Sequence, residues 1–179
     1  MTELQGGPCR LARPDEIERV REIQRAAGRR FVETPYAGIV GDSADDPADL
    51  AAAQDKWHLW VSVDDRDRPV GAAHLMLLGE ALHLRELDVH PDFAGARRGA
   101  AILDAIERFF AGRGISSLSL TTLVDVPWNA PYYERIGFGI VPEAELGPAL
   151  RQRWIAEASG FPLEKRVAML RPLKRGGQS

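Results

Sequence analysis

The sequence predicts a single-domain α/β protein with a mixed, largely antiparallel sheet and helices on both of its faces. Three observations carry this. Hairpin-spaced β segments fill residues 57–89. A helical pattern over 96–113 leads straight into a β-rich run over 115–124, a crossover that joins parallel neighbours. The chain has 179 residues, and area scaling gives about 8,600 Å² folded against about 28,600 Å² unfolded, enough burial for one core.

The elements follow in order. Cys9–Ala12 reads as a short strand, and Asp15 as the N-cap of a helix whose apolar face is Ile17, Val20, Ile23 and Ala27, stopped by Gly28. Residues 29–47 carry no period; their acidic cluster Asp42, Asp45, Asp46 and Asp49 reads as caps and solvated turns, since calcium-loop spacing is missing. A short helix is expected over 47–54 and strands over 57–63, 70–78 and 81–89, with Gly79-Glu80 as a tight hairpin turn. Ile102, Leu103, Ile106, Phe109 and Phe110 give the helix over 96–113 one apolar stripe, ended by Gly112 and Gly114. After the strand over 115–124 come a short helix over 129–136, a strand over 137–141, a helix over 146–158 and a last strand over 167–170. The domain is expected to span 9–172, with flexible ends at 1–8 and 173–179.

Composition narrows the function classes. Charges nearly cancel, with 23 Lys plus Arg against 26 Asp plus Glu, so no global field favours nucleic acid or an anionic membrane. Cys9 is alone, which rules out an internal disulfide and a cysteine-based zinc site. No apolar run reaches the roughly 20 residues of a membrane span, and the expectation is a soluble, cytoplasmic protein. His74 and His83 read as structural strand histidines, and Trp57, Trp60 and Trp154 as core or helix-packing residues. Trp128 reads either as a wall of an acceptor pocket or as a core residue.

The junction from Leu87 to Leu103 is the most informative stretch. A loop with Gly95 and Gly99 opens a long helix, so unpaired backbone N–H groups converge there. Arg97 and Arg98 sit in the first turn, where a cation opposes the helix dipole by about 0.3–1 kcal/mol each. A bound phosphate would reverse that penalty. The Walker and three-glycine dinucleotide patterns are both missing.

Leu84–Leu103 resembles the coenzyme A pyrophosphate loop of the GNAT superfamily of acyl-CoA N-acyltransferases. Val89-His90-Pro91 matches the strand end and Gly99 the last loop position, whereas Ala94 replaces the usual Gln or Arg and Arg97 the first glycine. Asn129-Ala130-Pro131-Tyr132-Tyr133-Glu134-Arg135-Ile136-Gly137-Phe138 resembles the family's later signature, in the expected order. Asn129 also suits a helix N-cap, Gly137 a left-handed C-cap and Phe138 the core.

The resemblance implies a GNAT-like fold and transfer of an acetyl group from acetyl-CoA to a primary amine. Acetyl-CoA is then the acyl donor, and no metal is needed. Leu87 and Val89 would offer main-chain hydrogen bonds to the pantetheine arm. Ala94, Gly95, Ala96, Arg97, Arg98 and Gly99 would cradle the pyrophosphate, and Asn129 joins the coenzyme-binding set. Tyr133 would protonate the departing thiolate, since a phenol stays protonated at neutral pH. Strand alternation puts Glu86 and Asp88 on one face; Glu86 is the first candidate base, with Asp88 or a water chain as alternatives. The expected partner is a small-molecule or peptide amine, without nucleic acid or membrane, and fold analogy adds a homodimer. The alternative is a non-catalytic acyl-CoA-binding or sensor domain.

Overall fold

The computed structural model describes residues 8–40 and 44–173. Its seven-stranded sheet has the order β1-β2-β3-β4-β5-β7-β6. Contacts divide the chain into two compact units, Met1–Leu75 with Glu86–Phe109, and Met76–Arg85 with Phe110–Ser179.

In the first unit β1 (Cys9–Leu11) and β3 (Pro69–Leu78) pair antiparallel with β2 (Leu59–Val63) on either side. Alternation along β2 sends its side chains two ways. Leu59, Val61 and Val63 join Val20 of α1 (Ile17–Gly28) and Leu50 and Ala53 of α3 (Pro47–Asp55) in one core cluster. Trp60 instead meets Phe109 of α4 (Arg98–Phe110) edge-on, at 5.2 Å between ring centroids. Both sheet faces here are therefore helix-covered. A four-residue helix, α2 (Ala37–Val40), lies between α1 and α3.

In the second unit the first half of β4 (Ala81–Val89) runs parallel to β5 (Ser117–Leu123), from Ala81 opposite Ser117 to Leu84 opposite Leu120. The remaining pairs given by register are antiparallel. The last strand, β7 (Arg166–Pro172), inserts between β5 and β6 (Gly139–Val141), so sequence order and sheet order part here. Leu150 and Trp154 of α6 (Pro148–Glu157) pack on Ala168 with Leu78 and Leu170. Trp154 Nε1 donates to the Arg166 carbonyl at 2.8 Å.

Several expectations need correction. Asp15 does not cap α1: a 3-10 turn over Pro14–Glu16 comes first, and Glu16 accepts the Arg13 N–H at 2.8 Å while pairing with Arg10. The central helix starts at Arg98 rather than Ala96, because Arg97 has φ +54° and cannot extend it. It ends at Phe110, ahead of Gly112 at φ +74°. Trp57 is not core, being 53% exposed, and at φ +62° it leaves the strand; it is the helix-packing residue of the two alternatives, its ring edge-on to Phe109 of α4 at 5.9 Å. Trp60 and Trp154 are buried as expected. Asp46 caps α3 by accepting the Ala48 N–H at 2.8 Å, whereas Asp42 lies outside the described residues. So do the expected flexible ends, apart from Pro8, whose carbonyl accepts from Val63, and Leu173, whose N–H donates to Ser116. No helix among the described residues is long and apolar enough to cross a membrane.

Candidate active site

In the first unit the C-terminal end of β4 runs tightly against β3. A Cβ on Gly71 would stand 3.2 Å from the Asp88 carbonyl oxygen and 2.7 Å from Ser62 Oγ, and His90 N–H donates to the Val70 carbonyl at 2.9 Å. A side chain at residue 71 would push β4 away, so glycine here sets the position of Asp88. A 3-10 turn over Pro91–Phe93 follows, then a loop in which Gly95 has φ +82° and Arg97 φ +54°. Residues 94–97 are exposed, and a Cβ at Gly95 would meet nothing within 4 Å. The loop delivers the chain into α4, whose first N–H groups have no intrahelical acceptor.

The two arginines separate. Arg97 is exposed and in left-handed backbone, a conformation costing a non-glycine residue about 1–2 kcal/mol. Arg98 turns back on its own unit: Nη1 donates to the Val63 carbonyl at 3.0 Å, and the guanidinium lies 5.4 Å from the Phe93 ring centroid. Gly99 is buried inside the first turn, and Leu87 and Val89 are half-buried.

The two strand carboxylates also differ. Glu86 is exposed and Asp88 half-buried. Burial pushes the Asp88 carboxyl up to about 7; the Arg30 charge opposes this and Asp45 adds to it. Asp45 itself is tied to His74, with Nδ1 to Oδ2 at 2.7 Å. Sequence reading missed this pair, because 29 residues separate its members and only folding joins them.

In the second unit Asn129 stands at the N-terminus of α5 (Ala130–Arg135), but its side chain makes no capping hydrogen bond, contrary to expectation. Its carbonyl accepts from the N–H groups of Tyr132 and Tyr133 at 2.9 and 3.1 Å, starting the helix through the main chain. The other end is built as expected. Gly137 has φ +96°, its N–H donates to Glu134, and Phe138 N–H donates to Tyr133, the paired bonds of a Schellman ending. Tyr133 is half-buried, with its ring edge-on to Tyr132 and Phe138 at 5.3 and 5.5 Å. Phe138 is buried, and Trp128 half-buried.

The same unit hides a polar network that no motif announced. His83 is fully buried on β4, with Nδ1 2.9 Å from Ser119 Oγ and Nε2 3.3 Å from both Glu157 oxygens. Thr121 and Arg153 also donate to Glu157, at 2.5 and 2.6 Å. Burial works against the Glu157 charge, but these donors hold its carboxyl at about 2. The Ser119–His83–Glu157 order resembles a nucleophile with its base, yet Ser119 is 1% exposed and no substrate can reach it. Among the described residues, no group of three or more His, Cys, Asp or Glu could hold a metal ion.

The family model described as Acetyltransferase (GNAT) family matches residues 18–138. Among solved structures, the chain is similar to N-acetylglutamate synthase from Neisseria gonorrhoeae complexed with coenzyme A and N-acetyl-glutamate, at 18% identity and TM-score 0.70. That match covers 94% of this chain but 35% of the other, so the chain spans about a third of that protein. PaiA N-acetyltransferase from Thermoplasma acidophilum, in complex with coenzyme A, matches at 14% identity and TM-score 0.64, over 92% of this chain and 98% of that one. The ribosomal-protein-S18-alanine N-acetyltransferase of Escherichia coli matches at 14% identity and TM-score 0.62, over 96% and 97%. At such identities the structural likeness speaks for the fold.

Proposed function

Because the chain belongs to the acetyltransferase (GNAT) family, we propose that it transfers the acetyl group of acetyl-CoA to a primary amine by direct attack in a ternary complex. The observation that carries this reading is the backbone of the loop before α4. Arg97 keeps left-handed backbone at a position where the family pattern has glycine. A non-glycine residue holds that conformation when the surrounding fold demands it. The exposed backbone of 94–97 and the open space at Gly95 suit a pyrophosphate, with the Arg97 guanidinium as a further donor. Leu87 and Val89 are assigned to the pantetheine amides, and Asn129 to the coenzyme-binding set.

Each reacting proton has an owner. An amine enters mostly as ammonium and must lose a proton before its lone pair can attack the thioester carbon. Asp88 receives it, in preference to Glu86. A carboxyl near 7 is matched to proton transfer at neutral pH, and it is the more buried of the two. As the C–S bond breaks, the Tyr133 phenol gives its proton to the departing thiolate and is reprotonated from solvent. The acceptor class is a small-molecule or peptide amine, in keeping with the neighbours' names.

The test is acetyl-CoA in two assays, thermal stabilisation and thiol release against a broad amine library. Stabilisation together with thiol release on one or more amines is expected. Stabilisation without release on any amine would replace the enzyme with a non-catalytic acyl-CoA sensor, and neither effect would overturn both.

A further inference from the structure

The helix that carries Tyr133 is weakly supported by its own sequence. α5 has six residues, Ala130–Arg135, fewer than two turns, and a helix that short has little stability of its own. Its N-terminal end takes no side-chain cap from Asn129. Its C-terminal end, by contrast, is held by a side chain from the sheet.

That side chain is Arg171 of β7. It is 9% exposed, and burying a guanidinium is costly unless its charge and hydrogen bonds are answered. Its Nη1 donates to the Ile136 carbonyl at 3.1 Å, at the negative end of the helix, where a cation is favoured. Its Cζ lies 5.4 Å from the Phe138 ring centroid. Between those two residues, a Cβ on Gly137 would stand 3.4 Å from Arg171 Cδ, so the stem runs close along the glycine. The platform is firm, because β7 is paired on both sides: Arg171 stands opposite Leu118 of β5, and Leu170 opposite Gly139 of β6. Thirty-five residues separate Arg171 from Ile136, so no local pattern shows this contact.

The residues that Arg171 touches also hold Tyr133. The N–H groups of Ile136 and Phe138 both donate to the Tyr133 carbonyl, at 3.1 and 3.0 Å. The Phe138 ring meets the Tyr133 ring edge-on at 5.5 Å. The main chain and the ring of Tyr133 are thus each one contact away from a group that Arg171 fixes. We infer that Arg171 is a positioning residue for Tyr133: from β7 it locks the end of α5 and the Phe138 ring, and so sets where the phenol stands. The inference rests on the assignment of Tyr133 as the acid. A proton donor works only within hydrogen-bond reach of the departing sulfur, and a misplacement of about 1 Å can cost about 10²-fold in rate.

The experiment reads Tyr133 directly. The chain has three tyrosines, and in ring-labelled protein the Tyr133 NMR signal is assigned by its loss in Tyr133→Phe. Arg171→Met keeps much of the stem and removes the guanidinium. It should shift the Tyr133 signal, leave that of Tyr36 in place, and lower kcat for thiol release from acetyl-CoA with the amine library by about 10–100-fold. Coenzyme A affinity by calorimetry should be kept. In the Tyr133→Phe background, Arg171→Met should lower kcat no further, because both changes act through one phenol. A further loss as large as in the parent would overturn the inference, as would an unmoved Tyr133 signal. If Arg171→Met does not fold, Arg171→Lys is the second variant; it keeps the charge but lacks the planar face over Phe138, and should shift the same signal. Normal thiol release by Tyr133→Phe would remove Tyr133 as the acid, and the inference with it. Lost release there, with an unmoved Tyr133 signal in the Arg171 variant, would remove only the role of Arg171.

Discussion

Replacing Asp88 by Asn should stabilise the protein in a way that depends on pH. From an ordinary 3.8 to about 7 is a difference worth about 4 kcal/mol in favour of the neutral carboxyl. The sign follows from proton counts. Between those two values the native state keeps a proton that the unfolded chain has shed, so stability falls as pH rises. It is fully present below about 4 and lost by the time pH has passed about 7. Linkage gives a loss of about 3 kcal/mol between about pH 5 and about pH 8. Asn carries no such term. The assay is urea unfolding of both proteins at the two pH values, and taking the difference cancels any packing cost of the amide. The variant should gain about 3 kcal/mol on its parent as pH rises across that window, roughly 6–12 °C in Tm for a chain of this size. Equal differences at both pH values would refute the raised affinity of Asp88, and with it the main reason for preferring it over Glu86.

Glu157→Gln should destabilise the second unit by about 3–5 kcal/mol near neutral pH, read by denaturant unfolding, because it leaves the donors around a buried carboxylate without their charge. In the parent, that stability is present above about 4.5 and lost as pH falls toward about 2, the sign expected of a depressed carboxyl. Tyr133→Phe should lower kcat by about 10²–10⁴ while coenzyme A affinity by calorimetry stays unchanged, and normal turnover would remove its role as the acid. Arg97→Gly relieves left-handed strain but gives the unfolded chain more freedom, so its unfolding free energy should shift by less than about 1 kcal/mol. Its coenzyme A Kd should rise about tenfold, for one lost charge-assisted hydrogen bond.

The sequence was legible wherever structure is local. The β-rich run over 115–124 is β5, the apolar stripe of Ile102, Leu103 and Ile106 is buried in α4, and Gly137 ends α5 in left-handed backbone. Local signals misled where tertiary partners outbid them. Asp15 has the composition of a cap, but Glu16 pairs with Arg10 and takes the Arg13 N–H. Trp57 has the composition of a strand, but its backbone turns to φ +62° and its ring meets Phe109 of α4 instead. The loop was legible as a pattern, though the left-handed φ of Arg97 was not, since nothing in an arginine announces it. Most hidden were the polar pairs. Asp45 meets His74 across 29 residues and Glu157 meets His83 across 74, and no spacing rule connects residues that only the folded sheet brings together.

The placement of β7 also bears on how the chain is made. Its seven residues fill the gap beside β5, from Ser117 opposite Pro172 to Leu123 opposite Arg166. During synthesis β5 leaves the ribosome roughly forty residues before β7 begins, a delay of about 2–8 s at ordinary elongation rates. Throughout that interval one side of β5 is a row of unsatisfied main-chain groups, open to any extended segment nearby. A ribosome that stalls between α6 and β7 therefore leaves a nascent chain whose β5 edge still waits for its own strand and is exposed to foreign ones.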